Sequence, residues 1–492
     1  MVVAVESRQA CAVGSPKLGL VVWRSGRQIL RPSTADLEIY LMGVGVWLPD
    51  GSGWLAGWLV VVFWVGRGGN GWPAMLGVVD IKARETIKPS SPTPHNLKIF
   101  KLSLLDQIAP AEYVPMIFYY AFNGKPKVKP QEQINQLKES LSQALTRIYP
   151  LAGRVKENLF IECNDKGIDF LEAKVNCSLS EILRQPEVNV IDQFLPHDYH
   201  CSKSSMEAQL AIQVNIFSCG GMAIGTCALH KIVDKGTMSL FLNMWADISR
   251  GSSDSLSPIF PGPNLFPPRD LSGLVPKFEV PKAKCITKRF VFPGSKIASL
   301  KEIVATNITD NIVSPTRIQV VSALIWKCAM EVSRARSGCL SPSIMTHAVD
   351  LRPRIYPPLP KCAAGYLSWL AIAPTPIMES PMELHHLENE IRTAIKKVDK
   401  EYTRKMQGDN GFSVMSDSLK QIGELVPQNV EVYRFISWVN FQLYGADFGW
   451  GKPIWVSTAA LLFKNVVIFI ETSVGSGLEA WVTMDEQDMT IF

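Results

Sequence analysis

The sequence predicts an α/β chain of mixed α+β sheets, folded as two domains behind an atypical amino-terminal extension. Short β-rich runs alternate with helices of 3.6-residue apolar period in both halves of the chain. A proline-dense stretch separates those halves. The 492 residues, 47% hydrophobic and 19% charged, suffice for more than one core. The expected boundaries are 1–75 for the extension, read as lying outside the fold, 76–250 for the amino-terminal domain, 251–284 for the crossing linker and 285–492 for the carboxy-terminal domain.

The extension differs in texture from the rest. Residues 1–75 hold 6 of the 13 Trp and 12 of the 34 Gly but only 4 acidic side chains, and their apolar residues keep neither a helical nor a strand period for long. The longest apolar run, 53–65, has 13 residues, short of the roughly 20 a spanning helix needs. It begins too late for a secretory signal. We expect no membrane anchor and take Met75 as the natural first residue. Gly66-Arg67-Gly68-Gly69-Asn70-Gly71 satisfies the G-x-G-x-x-G pattern, but Trp72-Pro73 follows where a helix should open, so a dinucleotide site is not expected.

Beyond the extension, 131–148 places Ile134, Leu137, Leu141, Leu145 and Ile148 at spacings of three and four between two prolines, which predicts an amphipathic helix. Runs at 159–163 and 168–171 read as strands flanking the turn Asn164-Asp165-Lys166-Gly167. Runs at 209–217 and 221–229 read as a hairpin whose second strand leads into His230, followed by a helix with stripe Met238, Phe241, Leu242, Trp245 and Ile248 and Thr237 as its cap. The linker carries Pro258, Pro261, Pro263, Pro267, Pro268, Pro276 and Pro281, too many for regular structure. In the second half, strands are expected at 288–292 and 466–472 and helices at 296–305, 318–332 and 381–402.

Composition removes several function classes. With 50 Lys+Arg against 45 Asp+Glu and no basic run, nothing suggests a phosphate-tracking face, so nucleic acid is not an expected partner. The ten cysteines form no C-x-x-C pair, which argues against structural zinc and for a reduced setting. His197-Asp198-Tyr199-His200 and His385-His386 lack the spacing of a helical zinc site, so no metal is expected, and no G-x-S-x-G elbow occurs. Asp447-Phe448-Gly449 spells the kinase magnesium motif, but H-R-D and V-A-I-K are missing. What remains is His230, at the end of an apolar strand with Asp234 four residues on and Gly236 beyond, and the rigid turn Asp447-Phe448-Gly449-Trp450-Gly451 before Lys452-Pro453. Imidazole, with an ordinary pKa near 6.5, is the side chain best suited to take a proton near neutrality.

These two motifs, 217 residues apart, resemble the H-x-x-x-D and D-F-G-W-G pair of the plant BAHD acyl-CoA-dependent acyltransferases. The likeness extends to Tyr149-Pro150-Leu151-Ala152-Gly153-Arg154, Ser314-Pro315-Thr316-Arg317, the run Val321 to Cys328, and Asp350-Leu351-Arg352-Pro353-Arg354, and so spans about 80–492. Within the family, 85–94 and 100–106 are most similar to alkaloid O-acetyltransferases of the vinorine synthase and deacetylvindoline acetyltransferase type. The resemblance implies two chloramphenicol-acetyltransferase-like domains with an active-site channel between them. Acetyl-CoA would enter as co-substrate, without a tightly bound cofactor or metal, and His230 would act as general base for direct attack of an alcohol on the thioester. It also implies that Asp234 is a strut paired with an arginine, for which Arg352 is the candidate. Asp447, Phe448, Gly449, Trp450 and Gly451 would be a supporting loop, with Asp447 only secondarily catalytic.

The expected acceptor is a hydroxylated alkaloid of the monoterpenoid indole type; a terpenoid or phenolic alcohol, or another acyl-CoA, is the alternative. A cytoplasmic monomer is the family expectation. Two departures bear on activity. The family's hydroxyl residue before Ser437-Trp438, which are oxyanion or channel candidates, is replaced by Ile436, and its Gly-Asn pair reads Gly365-Tyr366. They keep open a third reading, a weakly active or non-catalytic protein that binds CoA or an alkaloid.

Overall fold

The computed structural model describes residues 78–492 except 123–128, 197–207, 253–255, 272–283, 306–313, 340, 376–381 and 426–429, together with three strands before them. The chain divides into two units, Met1–Met75 with Ser180–Pro186, and Leu76–Leu179 with Glu187–Phe492. In the first unit, Leu20–Trp23, Leu37–Trp47 and Trp54–Trp64 form an antiparallel sheet in that order. Sequence reasoning found no sustained period in this segment and allowed only the apolar run before Gly66 as a strand. The strand Trp54–Trp64 is a continuous apolar run without alternation, a pattern that periodicity does not distinguish from buried helix. The glycine-rich run 66–71 and the cluster His197 to His200 lie outside the described residues.

The second unit is built on two mixed six-stranded sheets, in agreement with the predicted class. The first runs Trp455–Ser457, Tyr113–Tyr120, Met222–Leu229, Leu210–Phe217, Ile168–Val175, Val79–Ile87, and the second Cys285–Phe292, Leu478–Asp485, Val466–Glu471, Glu431–Ser437, Ser343–Asp350, Ser368–Pro374. Each mixes parallel and antiparallel pairs. Met222–Leu229 is buried at every position, as expected of a strand with neighbours on both sides. It forms the predicted hairpin with Leu210–Phe217, in register Ile216 with Met222.

Helix Pro130–Arg147 starts with proline in its first turn and buries Ile134, Leu137, Leu141 and Leu145, each fully buried leucine contributing about 2 kcal/mol. Across it packs helix Lys235–Ser249, whose Trp245 donates its indole N–H to Leu137 O at 3.1 Å. The second sheet packs against Arg317–Ser337 and Leu384–Lys397 through a core that includes Trp326, Phe435 and Phe469.

Three sequence expectations are corrected, on the helix cap after His230, the helix at 381–402 and the linker. The strand expected at 159–163 is Phe160–Glu162, which pairs with Ile99–Lys101 and Arg154–Lys156 in a small sheet separate from that of Ile168–Val175. The turn between them is pinned outward by its own Asp165, whose carboxylate accepts from Thr93 and Lys98. The helix after His230 is capped by Asp234 and not by Thr237, whose amide donates to Asp234 Oδ1 at 2.8 Å. The helix expected over 381–402 is two, Leu384–Lys397 and Lys400–Met406, because Asp399 caps the second while the Arg354 guanidinium takes the free carbonyls of Ile395 and Val398. The linker is not wholly irregular, since it contains the one-turn helix Gly262–Leu265.

Candidate active site

His230 stands where Met222–Leu229 ends, its backbone N–H held by Glu112 O at 2.8 Å. Three turn residues follow, Val233 bridges to Gly365, and Asp234 opens the next helix. The three-residue spacer of H-x-x-x-D is thus the turn that converts a strand end into a helix start. Within it, the His230 Nδ1–H donates to Val233 O at 2.8 Å. A carbonyl can only accept, so Nδ1 carries the proton and Nε2 keeps its lone pair. Burial lowers the His230 pKa below its ordinary 6.5, against the opposing pull of the Val233 carbonyl and the Asp234 charge. The ring is therefore neutral at pH 7, with Nε2 a ready proton acceptor. The acid limb of kcat/KM against pH is expected to have its midpoint below 6.5; a midpoint above 7 would show that the Asp234 charge dominates instead.

Asp234 does not face the imidazole nitrogens. Its carboxylate takes a two-pronged bond from Arg352 at 2.7 and 2.9 Å and accepts from the amides of Thr237 and Leu367 and the hydroxyl of Ser368. Both partners are nearly sealed from solvent, at 2% and 5% exposure. Burial alone would raise the Asp234 pKa, but the Arg352 charge and these bonds hold it down to about 2. Arg352 in turn donates to Ala363 O, Asp350 and Thr237. Gly236 is needed because a Cβ there would lie 2.6 Å from Arg352 Nη1, and this guanidinium cannot move aside without breaking its bonds. Gly236→Ala is expected to lower thermal stability and activity together, measured by melting and turnover.

The second motif lies elsewhere. Asp447 Oδ1 accepts from its own loop, Gly449 N at 2.8 Å and Gly451 N at 3.0 Å, and both glycines have φ above 110°. Phe448 is fully buried edge-on to Trp245 at 4.7 Å and stacks with Trp450 at 5.8 Å. Its carbonyl is held by Ser249 and Gln136, and the Asp447 carbonyl by Arg250. Ser249 and Arg250 end the helix that Asp234 begins, so the loop is held at the far end of a 15-residue helix, about 22 Å long, whose start follows the His230 turn. The turn sends the chain into Trp455–Ser457, the edge strand added to the first sheet, where Trp455 stacks on Tyr119 at 4.7 Å. Asp447→Ala is expected to cost about 1 kcal/mol per lost bond in stability, read by chemical denaturation, while leaving the acid limb of the pH profile in place.

Ser437 and Trp438 end strand Glu431–Ser437 and are buried; Ser437 Oγ accepts from Val439 N at 3.3 Å. Strand alternation sets Ser437 with the core residues Tyr433 and Phe435, and Ile436 on the opposite face. Register puts Leu370, Ala348 and Ile436 in one row across the sheet, with Ile372, Thr346 and Arg434 in the next; of these only Thr346 is fully buried. The preceding row holds Ser368, which bonds Asp234. This half-open, largely apolar face therefore begins beside the His230 turn.

Three contacts escaped sequence reasoning. Glu112 anchors the histidine backbone, Thr237 Oγ1 donates to Gly365 O at 2.9 Å, and Asp106 Oδ1 accepts from Tyr366 N at 2.9 Å. Burial pushes Asp106 up to about 6 despite its bonds from Ser103 and Tyr366. Only the Ser-x-x-Asp spacing of Ser103 and Asp106, a capping box, was visible in the sequence. Among the described residues no three His, Cys, Asp or Glu side chains cluster as metal ligands, and no helix is long and apolar enough to cross a membrane.

The site thus joins a histidine at a strand end to a buried Asp–Arg pair beside two mixed sheets. Residues 78–492 match the Transferase family model, and the chain belongs to that family, the BAHD acyl-CoA-dependent acyltransferases. It is 38% identical over 415 residues to a limonoid 21-O-acetyltransferase of Melia azedarach, covering 84% of this chain and 95% of that one. It is 35% identical over 422 residues to stemmadenine O-acetyltransferase of Catharanthus roseus, covering 85% and 96%. The crystal structure of vinorine synthase superposes with a TM-score of 0.73 at 34% identity, covering 84% of this chain and 96% of that chain.

Proposed function

We propose that the protein transfers the acetyl group of acetyl-CoA to a hydroxyl of a polycyclic natural product, with His230 as general base. The observation that carries this reading is the Nδ1–H bond to Val233 O, which leaves Nε2 of a neutral imidazole free to take a proton. As the alcohol oxygen attacks the thioester carbon, its proton passes to Nε2. The tetrahedral intermediate then collapses, the C–S bond breaks, and the thiolate takes the proton back from His230. No covalent acyl-enzyme is required. Asp234 and Arg352 hold the turn, and the Asp447 loop supports the opposite end of the same helix.

For the acceptor, the sequence favours a monoterpenoid indole alkaloid, and similarity to stemmadenine O-acetyltransferase supports it. A second reading, an oxygen-rich terpenoid alcohol, is favoured by the limonoid acetyltransferase at 38% identity and by Arg434. The Arg434 side chain makes no hydrogen bond to a described residue, and burial lowers its pKa while the Glu112 charge opposes this. A guanidinium beside an apolar row suits a neutral acceptor bearing oxygens better than one bearing an ammonium group.

The test is release of free CoA thiol from acetyl-CoA across hydroxylated indole alkaloids and limonoid-type alcohols, with the ester identified by mass spectrometry. Ester from an alkaloid supports the first reading and from a limonoid the second. Tight acetyl-CoA binding without ester or thiol from any acceptor would support the non-catalytic reading.

A further inference from the structure

Oxygen attack on a thioester puts negative charge on the former carbonyl oxygen, and a donor already in place there is worth more than one that must reorganise. The face of the second sheet that begins beside the His230 turn offers little for that purpose, because its first full row is Leu370, Ala348 and Ile436. A different side chain meets the histidine. The Tyr366 ring packs edge-on to the imidazole with centroids 5.0 Å apart.

Tyr366 is held more firmly than a surface tyrosine. Three successive amides fix its backbone: Gly365 N to Thr237 Oγ1 at 3.0 Å, Tyr366 N to Asp106 Oδ1 at 2.9 Å, and Leu367 N to Asp234 Oδ2 at 3.0 Å. These acceptors come from both sides of the site, one from the helix start at Ser103 and two from the helix that follows His230. The ring also packs against the core of the second sheet. Yet its hydroxyl makes no hydrogen bond to a described residue. A held ring against the imidazole, with an O–H that no described residue takes up, is a donor waiting for an acceptor.

We propose that Tyr366 is a catalytic residue whose hydroxyl donates to the oxyanion of the tetrahedral intermediate, in place of a donor on the apolar row at Ile436. The inference rests on the acyltransfer reading above. In the step concerned, the attacking oxygen forms its bond to the carbonyl carbon and gives its proton to His230 Nε2. The carbonyl π pair moves onto oxygen, which accepts the Tyr366 O–H; on collapse the pair returns, the C–S bond breaks and the sulfur takes the proton from His230. Burial pushes the Tyr366 pKa well above 10, so the phenol stays a donor through the working range.

Because the acceptor alcohol is not needed for this step, water serves in its place. The experiment follows slow thiol release from acetyl-CoA alone by the full chain, its Tyr366→Phe, His230→Ala and Tyr366→Phe/Ile436→Thr variants, with acetyl-CoA affinity measured by titration calorimetry. We expect Tyr366→Phe to lower turnover by about 10²-fold with unchanged affinity, and the Thr at 436 to restore part of it. Turnover of Tyr366→Phe within about threefold of the parent, with His230→Ala inactive, would overturn the inference alone. Undiminished turnover of His230→Ala would overturn the general-base reading and, with it, the inference.

Discussion

His230→Ala is expected to lower acetyl transfer by about 10²–10⁴-fold, the range over which a positioned general base contributes, while acetyl-CoA binding and the melting temperature change little. The loss should be this large because the structure commits the imidazole to one task. Its Nδ1–H is spent on Val233 O, so Nε2 has no competing proton, and burial keeps the ring neutral where an exposed histidine would begin to charge. Alanine removes the base but leaves the His230 N–H to Glu112 O bond, the Val233 bridge to Gly365 and the Asp234 cap, so the fold has no reason to respond. The measurement is thiol release and calorimetric binding on one preparation; loss of binding together with turnover would mean that the histidine is structural.

Arg352→Ala is expected to destabilise the protein by about 3–5 kcal/mol, because it strands a buried carboxylate that has no water to turn to. Activity would vanish with it, for a different reason from the first variant. Asp234 caps the helix after His230, and Arg352 also ties Ala363 O and Thr237, so losing the guanidinium loosens the turn from both sides. Replacing both charges, Asp234→Asn with Arg352→Met, should cost less than the worse single change, since no unpaired charge remains. The pH dependence follows from the same pair. Asp234 is held at about 2 when folded against an ordinary value near 3.9, so its contribution of about 2 kcal/mol is complete above pH 4 and is lost as pH falls through 2. Urea titrations at pH 7 and pH 3 of the parent and the double variant would show it: the parent should lose more stability on acidification. Equal losses would contradict the assignment.

Much of this arrangement is legible in the sequence because it is local. A mostly apolar strand ending in histidine, a carboxylate at the next helix start and a turn with two glycines each show within a short stretch of chain, and the mixed-sheet class follows from alternating periods. Arg352 as partner of Asp234 came from resemblance to a family, not from spacing. What stayed hidden is set by contacts distant in sequence. That Trp455–Ser457 crosses to the first sheet depends on Tyr119, more than 300 residues earlier, and that Phe160–Glu162 joins a small sheet depends on Ile99–Lys101. Glu112 and Thr237 act through a backbone carbonyl and a short hydroxyl, which leave no pattern in composition. The break at Asp399 is a local cap, overlooked because apolar period continues across it and Arg354, which ends the preceding helix, comes from another segment.

In the proposed reaction the acetyl group moves from thioester to alcohol in one direct transfer, and His230 carries only the proton. Intact-protein mass spectrometry of the chain mixed first with acetyl-CoA and then with an accepted alcohol tests it most directly. Unmodified protein is expected at every time point, with ester and free CoA appearing together only as the alcohol is added. A stoichiometric acetyl adduct that forms before the alcohol and disappears after it would overturn direct transfer, because it would require a nucleophile on the protein.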